Sequence, residues 1–547
     1  MNTQGGNLLR SLREIYFRSP IADWRLNRTR KGRILVPVGS AWPGDPERGR
    51  TIVEGTFTIE GDVIAEVKTV WSQIPKHVSR VRYLHGFSWL RDLKELGGRS
   101  ARLCARELVA DWLDHYGTWH PISWRADFVG ERLSNLLSVF DFFCESAEDR
   151  FRARVLTDLE RQFAHLCRDF EAVPDGIGRL RAASGLVVAG TALGCEDEQF
   201  ERCEHWLENE LQRQVNSDGG HASRSPDIHC NALMALIDLR NALRARDRIV
   251  PKSLDNSIDS MCAMLRLWRH GDGLLALFHQ STQMRRNLLE NVIAQSESRR
   301  KAPAQAQNTG FQRLSAGRTC VIVDTGGPSS LSDGTHASPL AFEMSAGRHR
   351  IIVNCGTSFG DTRWQESLRT SAAHSMLVID GQNAAPIDPD SMVLPTPICV
   401  EVKRVQEDGA NLMEANHDGY RKRFGLLHRR RLYLSAAGDD LRGEERLIYT
   451  GDPGDIPNTA EVRFHLHPRI SASILQSKAS VLLRPPNGGG WRLRTDSGLY
   501  LNESIYFGSG SRQRTEQIVI SRSLEGVRTK EEITIKWALR REDARSH

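Results

Sequence analysis

Histidine, arginine and amide side chains gather at three places in this 547-residue chain where acid–base, anion-binding or metal chemistry could be done. At 217–229 the chain reads "SDGGHASRSPDIH", which sets His221, Arg224 and His229 around the start of a helix. Free backbone N–H groups at such a start favour anions, so Arg224 with one of the histidines could hold an anionic substrate. The same stretch also reads as a capping loop in which Ser225 and Asp227 satisfy backbone donors. In "THASPLAF", "IIVNCGT" and "TSAAHSMLVIDG", His336, Asn354 and His374 stand near strand ends. Two imidazoles and an oxygen donor that converge at one sheet edge form a zinc-type set. The third place is "WHPISWRADFVGERL" (119–133), with Trp119, His120, Trp124 and Arg132. Indoles stack on pyranose faces while cations meet carboxylates, although buried helix packing is the commoner reason for such tryptophans. His465 and His467 in "RFHLHP" share one strand face, and an isolated pair of this kind reads as structural.

The elements that must position these residues fall into three zones: 1–85, 86–300 and 301–547. The first is mixed, and the alternation in "TIVEGTFTIEGDVI" predicts a small hairpin. The second is helical. "ARLCARELVADWLDHY", "ERLSNLLSVFDFFCES" and "FERCEHWLENELQRQV" repeat apolar residues every three or four positions, with breaks at "VPDGIG" and "SDGG". Many successive antiparallel helices in one domain point to a bundle, a solenoid or an α/α toroid. A polar, Ala/Pro/Gln-rich stretch, "SESRRKAPAQAQNT", then reads as a linker. Beyond it, short β-rich runs bounded by Gly, Asp, Asn and Pro predict an antiparallel β-sandwich.

Bulk properties exclude several functions. No run reaches the roughly 18 apolar residues that span a bilayer, and the N-terminus has no apolar signal core, which implies the cytoplasm. The ten cysteines are scattered, with no C-x-x-C pair, against a zinc ribbon or a disulfide framework. A net charge of +6 suits an acidic polymer and falls short of a nucleic-acid-binding face. Arginine-rich runs at 25–33 and 421–431 read as solvated faces or turns.

Taken together, "HGFSWLRDL", "WHP", "SDGGHASRSP", "HASPLAFEMSAGRHRIIVNCGT", "TSAAHSMLVIDG", "HLHP" and "NESIYFGSGSRQRTEQIVI" resemble the heparinase II/III-like proteins. These are a branch of polysaccharide lyases, and the chain looks most like their subgroup widespread in alphaproteobacteria. The resemblance runs from about residue 85 onward and implies an N-terminal (α/α) toroid followed by a C-terminal antiparallel β-sandwich. It also implies β-elimination at a uronic acid, in which the carboxylate is neutralised, a base takes the C5 proton and an acid protonates the leaving oxygen. The family uses a polar pair on an inner helix, a tyrosine after "DGG" and a histidine in the β-domain, with a structural zinc and no organic cofactor.

Several of those positions differ here. Ile177 and Gly178 stand where the polar pair is expected, and Ile228 replaces the tyrosine, although His229 follows it. Gly334 stands for the catalytic histidine and Ser338 for an aspartate, while His336 and His374 match zinc ligands and Asn354 replaces the third. A lyase built on this chain would use His221 or His229 as base, Arg224 at the carboxylate and Tyr116 as acid. The rival is a glycan-binding or cell-envelope protein that keeps the cleft and loses the chemistry. A third reading is a cytoplasmic enzyme of small oligosaccharides. Family relatives also suggest the periplasm or envelope, and the sequence does not set the oligomeric state.

Overall fold

The computed structural model describes residues 13–27, 34, 38, 39, 41–59, 62–72, 78–329, 331, 332, 334–358, 361–388, 398–451, 454–475, 479–487 and 489–542. Residues 1–12, where a signal was sought, and 28–33 of the first arginine-rich run lie outside these. The chain divides into two compact units. One, the helical unit, holds Met1–Val215, Asn231–Ile258 and Asn291–Glu297; the other, the β unit, holds Asn216–Cys230, Asp259–Glu290 and Ser298–His547.

The helical part begins with α1 (Pro20–Asn27) and α2 (Pro46–Val53), followed by a hairpin of β1 (Thr56–Ile59) and β2 (Asp62–Glu66). Next come α3 (Val78–His85), α4 (Trp89–Leu96), α5 (Gly98–Tyr116), α6 (Ala126–Ser138), α7 (Asp149–Asp169), α8 (Ile177–Leu193) and α9 (Asp197–Gln214). Three more helices follow: α10 (Pro226–Ala245), α11 (Lys252–Leu267) and α12 (Arg286–Gln295). Helix α5 forms because Ala101, Ala105, Leu108, Val109, Trp112, Leu113 and Tyr116 recur on one face, and all of them are buried. Helix α8 is buried on nearly every side from Leu180 to Ala192. It achieves this with small residues: a Cβ at Gly185 would stand 2.2 Å from the Gly130 carbonyl oxygen of α6. Gly194 ends α8 in the left-handed conformation, at φ 72°.

The β unit contains two antiparallel sheets. One is made of β3 (Gln305–Ala306), β4 (Phe311–Ala316), β5 (Thr319–Asp324), β6 (Phe342–Ala346), β7 (His349–Val353) and β8 (Leu377–Ile379), joined by strands from later in the chain. The other begins with β9 (Val400–Glu407), β10 (Ala410–His417), β11 (Leu426–Leu434) and β12 (Asp440–Tyr449). The remaining strands are β13 (Thr459–Leu466), β14 (Ser471–Ile474), β15 (Ser480–Arg484), β16 (Trp491–Thr495), β17 (Gly498–Tyr506), β18 (Gln513–Ser523) and β19 (Glu532–Arg541). Their order is β17-β18-β13-β7-β6-β5-β4-β3 in the first sheet, with β8 on β13, and β14-β15-β16-β19-β12-β11-β10-β9 in the second.

The sheets pack face to face through aromatics. Phe342 of β6 stacks on Trp537 of β19 with centroids 5.9 Å apart, and Phe464 of β13 meets the same indole edge-on at 4.8 Å. Trp537 fits because Gly443 lies opposite it on β12, where a Cβ would fall 2.0 Å from the indole. Beneath them, Arg430, Glu445 and His428 form a fully buried network, with Arg430 Nε donating to Glu445 at 2.9 Å. Such groups are tolerated inside because they are paired.

Candidate functional site

The stretch 217–229 folds into the β unit, and its side chains turn inward. The His221 backbone N–H donates to His229 Nδ1 at 3.1 Å, and His229 Nε2 donates to the Met261 carbonyl at 2.8 Å. Both ring nitrogens of His229 are thereby used, the ring is fully buried, and burial lowers its pKa to about 4. His221 is equally buried and its Nδ1 lies 2.9 Å from the Ser223 hydroxyl. Arg224 adopts φ 63° and sinks into a collar of carbonyls: Nε to Thr309 at 2.8 Å, Nη1 to Gly327 at 2.6 Å and Nη2 to Gly310 at 3.2 Å. Nη2 also pairs with Asp324. Gly326 is needed there, because a Cβ would meet the guanidinium at 2.4 Å.

Asp324, at the end of β5, starts a polar chain that crosses the β unit. Burial pushes its carboxyl up, but Arg224 and His279 outweigh that and hold it at about 2. Its Oδ2 is 2.9 Å from His279 Nε2 and accepts from the Ser338 hydroxyl at 3.3 Å. His279 Nδ1 accepts the His336 backbone N–H at 3.2 Å. His336 Nε2 accepts from the Gln280 backbone N–H at 3.0 Å, which leaves Nδ1 to donate to His374 Nε2 at 2.9 Å. His374 Nδ1 then donates to the Thr370 carbonyl at 2.8 Å. One pair of tautomers satisfies all four ring nitrogens with both rings neutral. Burial, with each partner ring, holds His336 well below its ordinary value, and burial lowers His374 to about 4.

The structure therefore brings His336 and His374 together, and sets Asn354 beside them through its Oδ1, which accepts the Ser375 N–H at 3.0 Å. The remaining polar atom of Asn354, Nδ2, is buried with no acceptor. A nitrogen carrying two protons does not ligate a cation. The residues present thus do not fit zinc: the two rings satisfy each other, and the third position offers a donor where a carboxylate oxygen is required.

The space where the family's histidine would project is filled. A Cβ on Gly334 would fall 1.9 Å from Gln280 Oε1 and 2.1 Å from its Cδ, so the Gln280 side chain lies directly over this glycine. Gln280 and His279 reach this arrangement with φ of 59° and 46°. Uncommon backbone conformations of this kind persist only where the surroundings enforce them. Asp324, His279 and Gln280 do not stand out in the sequence. The visible signals were small: a histidine after the apolar "LLALF", and an aspartate closing a strand before two glycines.

The remaining candidates lie in the helical unit. The Tyr116 hydroxyl donates to the Trp71 carbonyl at 2.8 Å and is buried. Arg132 is fully buried under Trp112, with Nη1 donating to the His85 and Ser123 carbonyls at 2.7 and 2.9 Å and Nε to Gln162 at 2.7 Å. It braces helices. Trp124 is also buried, and its indole N–H donates to the Tyr116 carbonyl at 2.7 Å. His120 is half-buried and accepts the Ile122 N–H at 3.3 Å. Trp119 is half-buried against Phe17 and, with Trp124, Arg125 and Arg13, lines a cavity of about 580 Å³.

Residues 111–302 match the Heparinase II/III N-terminus and residues 298–538 match the Heparinase II/III-like C-terminal domain. The chain belongs to the heparinase II/III-like family. It is 31% identical over 518 residues to FtsZ-localized protein C of Caulobacter vibrioides (strain NA1000 / CB15N), covering 91% of this chain and 88% of that protein. Among solved structures it is similar to heparinase III (TM-score 0.70, 16% identity, 94% of this chain and 88% of that one). It is also similar to the heparan sulfate lyase HepC of Pedobacter heparinus (TM-score 0.59, 16% identity, 95% and 86%). These likenesses support the expected fold class, a helical toroid followed by an antiparallel β-sandwich. Among the described residues no helix is long and apolar enough to cross a membrane.

Proposed function

We propose that this chain is a glycan-binding member of the lyase family that recognises an acidic, uronate-containing polysaccharide or oligosaccharide without cleaving it, and that it folds without zinc. The observation that carries this reading is Gln280 packed over Gly334, the position where the family's catalytic histidine is expected. An amide neither takes nor gives a proton near neutral pH. The groups that could have taken over are buried and engaged elsewhere: His229 at both nitrogens, His221 through Nδ1 on Ser223, Arg224 in its carbonyl collar, and the Tyr116 hydroxyl on Trp71. Removing general acid–base groups costs about 10²- to 10⁴-fold each, so their joint loss leaves no useful turnover.

Binding chemistry remains in the helical unit, where Trp119 and Arg125 face one cavity. An indole supplies a sugar platform, and the Arg125 guanidinium, which spends Nε and Nη2 on Asp127 at 3.1 and 3.0 Å, offers Nη1 to a sugar carboxylate. Trp119→Ala is expected to weaken binding of uronate oligosaccharides about tenfold in calorimetry, and unchanged affinity would contradict the assignment. The name of the Caulobacter relative places that protein with FtsZ. We extend that location to this chain as part of the proposal. Imaging a fluorescent fusion tests it, and a uniform distribution in dividing cells would count against it.

A further inference from the structure

One wall of the cavity at Trp119 belongs to the segment 13–27, which lines it with Arg13 and Glu14. Residues 13–17 are helical and lead through a turn into α1. Phe17 lies nearly parallel to the Trp119 indole, at an interplanar angle of 17° with centroids 5.7 Å apart. A pyranose ring would make the same face-on contact with an indole, and the two cannot share one face. The Phe17 ring also meets His165 of α7 edge-on at 4.7 Å. The Arg18 guanidinium stands 5.9 Å from the Trp119 ring centroid. One face of the sugar platform is therefore already taken, and by this chain itself.

Few contacts hold the segment down. Arg13 pairs with Asp169 at the end of α7, its Nε donating to Oδ1 at 2.7 Å. Leu26 packs with Trp124 and Ala164, and Arg168 Nη2 donates to the Arg25 carbonyl at 3.3 Å. Phe17, Ala22 and Leu26 are buried, whereas Ile15, Ile21 and Trp24 are 67%, 62% and 56% exposed. The large apolar side chains are thus divided between two faces, so docking gains only part of what the segment could bury. A segment held in this way opens at a cost well below that of unfolding the domain.

We propose that residues 13–27 are an autoinhibitory strap: a uronate sugar stacks on the Trp119 face that Phe17 now covers, and the strap lifts to admit it. This regulation rests on the glycan reading of the cavity given above. A site that is open only part of the time binds with an affinity reduced by the open fraction. Loosening the strap therefore tightens binding. If Phe17 were instead a fixed support for Trp119, its loss would weaken binding, so the sign of the effect separates the two roles.

Calorimetry on the full chain with glucuronate, galacturonate and mannuronate tetrasaccharides tests this, together with amide hydrogen exchange. Phe17→Ala and Leu26→Ser are each expected to bind at least about tenfold tighter than the wild type. Adding Trp119→Ala to Phe17→Ala is expected to remove that gain. In the wild type, a saturating tetrasaccharide is expected to speed exchange across residues 13–27 about tenfold, because the bound state holds the strap open. Unchanged or weaker binding by both variants, with saturable wild-type binding, overturns the strap and leaves the glycan reading standing. Exchange across 13–27 that stays the same or slows when the sugar binds overturns it equally. No saturable binding by the wild type or either variant overturns the glycan reading, and the strap with it.

Discussion

One atom of one side chain decides the metal question. Asn354 gives its oxygen to the Ser375 N–H and leaves Nδ2 as a buried donor without an acceptor, beside two histidines that satisfy each other. Replacing that nitrogen by oxygen changes both faults at once. Asn354→Asp is expected to retain about one zinc per chain in elemental analysis, and the wild type none, because a carboxylate oxygen completes a three-donor set with two imidazoles. Stoichiometric zinc in the wild type, or none in the variant, would contradict this. His336, Asn354 and His374 were legible in the sequence because each sits beside a recognisable strand end. Asp324, His279 and Gln280 were not: the positive φ values of His279 and Gln280 turn their side chains into the β unit, and no periodicity announces a residue in that conformation.

Among the elements, α8 meets α6 closely, and at Gly178, one of the two positions where the polar pair is expected, a Cβ would fall 2.9 Å from the Asp127 Cβ. The helix is packed so closely against α6 that small residues are required, and a Cβ at Gly130 would fall 2.5 Å from the Ala182 Cα. In an exposed helix Gly→Ala would add about 1 kcal/mol of stability. Gly185→Ala is instead expected to lower stability by about 2 kcal/mol, because the new methyl meets backbone that cannot yield without moving a helix. Urea unfolding measures this, and a stabilised variant would mean that the α6–α8 crossing is looser than described. Helical and β runs were readable from their periods of 3.6 and 2, since burial of one face imposes those periods. The inward course of 217–229 was not, because a helix-start signal is the same whether its side chains meet solvent or, as Arg224 does, a collar of carbonyls.

For the molecule as a whole, buried neutral histidines set the response to acid. Burial lowers His85 and His465 to about 3, and His165, His229 and His374 to about 4. In the unfolded chain these rings take a proton near pH 6.5, whereas in the folded protein they do not until far lower. The unfolded state therefore binds more protons below that pH, and stability falls as pH drops, by up to about 1.4 kcal/mol per unit for each such ring. His270, which burial would lower but which Cys320 and Glu343 raise in the fold, and Asp158 and Asp238, pushed up to about 6 by burial, run the other way but are outnumbered. The urea midpoint is expected to hold above pH 7 and to fall steeply between about pH 6.5 and 4; a flat profile across that window would contradict the buried neutral rings.

The central claim is that this member of a lyase family binds an acidic glycan and does not cleave it. The direct measurement is to incubate the purified protein with a panel of uronate polymers and oligosaccharides, and to follow the ultraviolet absorbance of the unsaturated uronate that any β-elimination must create. Saturable binding with no rise in that absorbance on any substrate is the predicted result. A sustained rise that His229→Ala abolishes would contradict it and would return that histidine to the role of base.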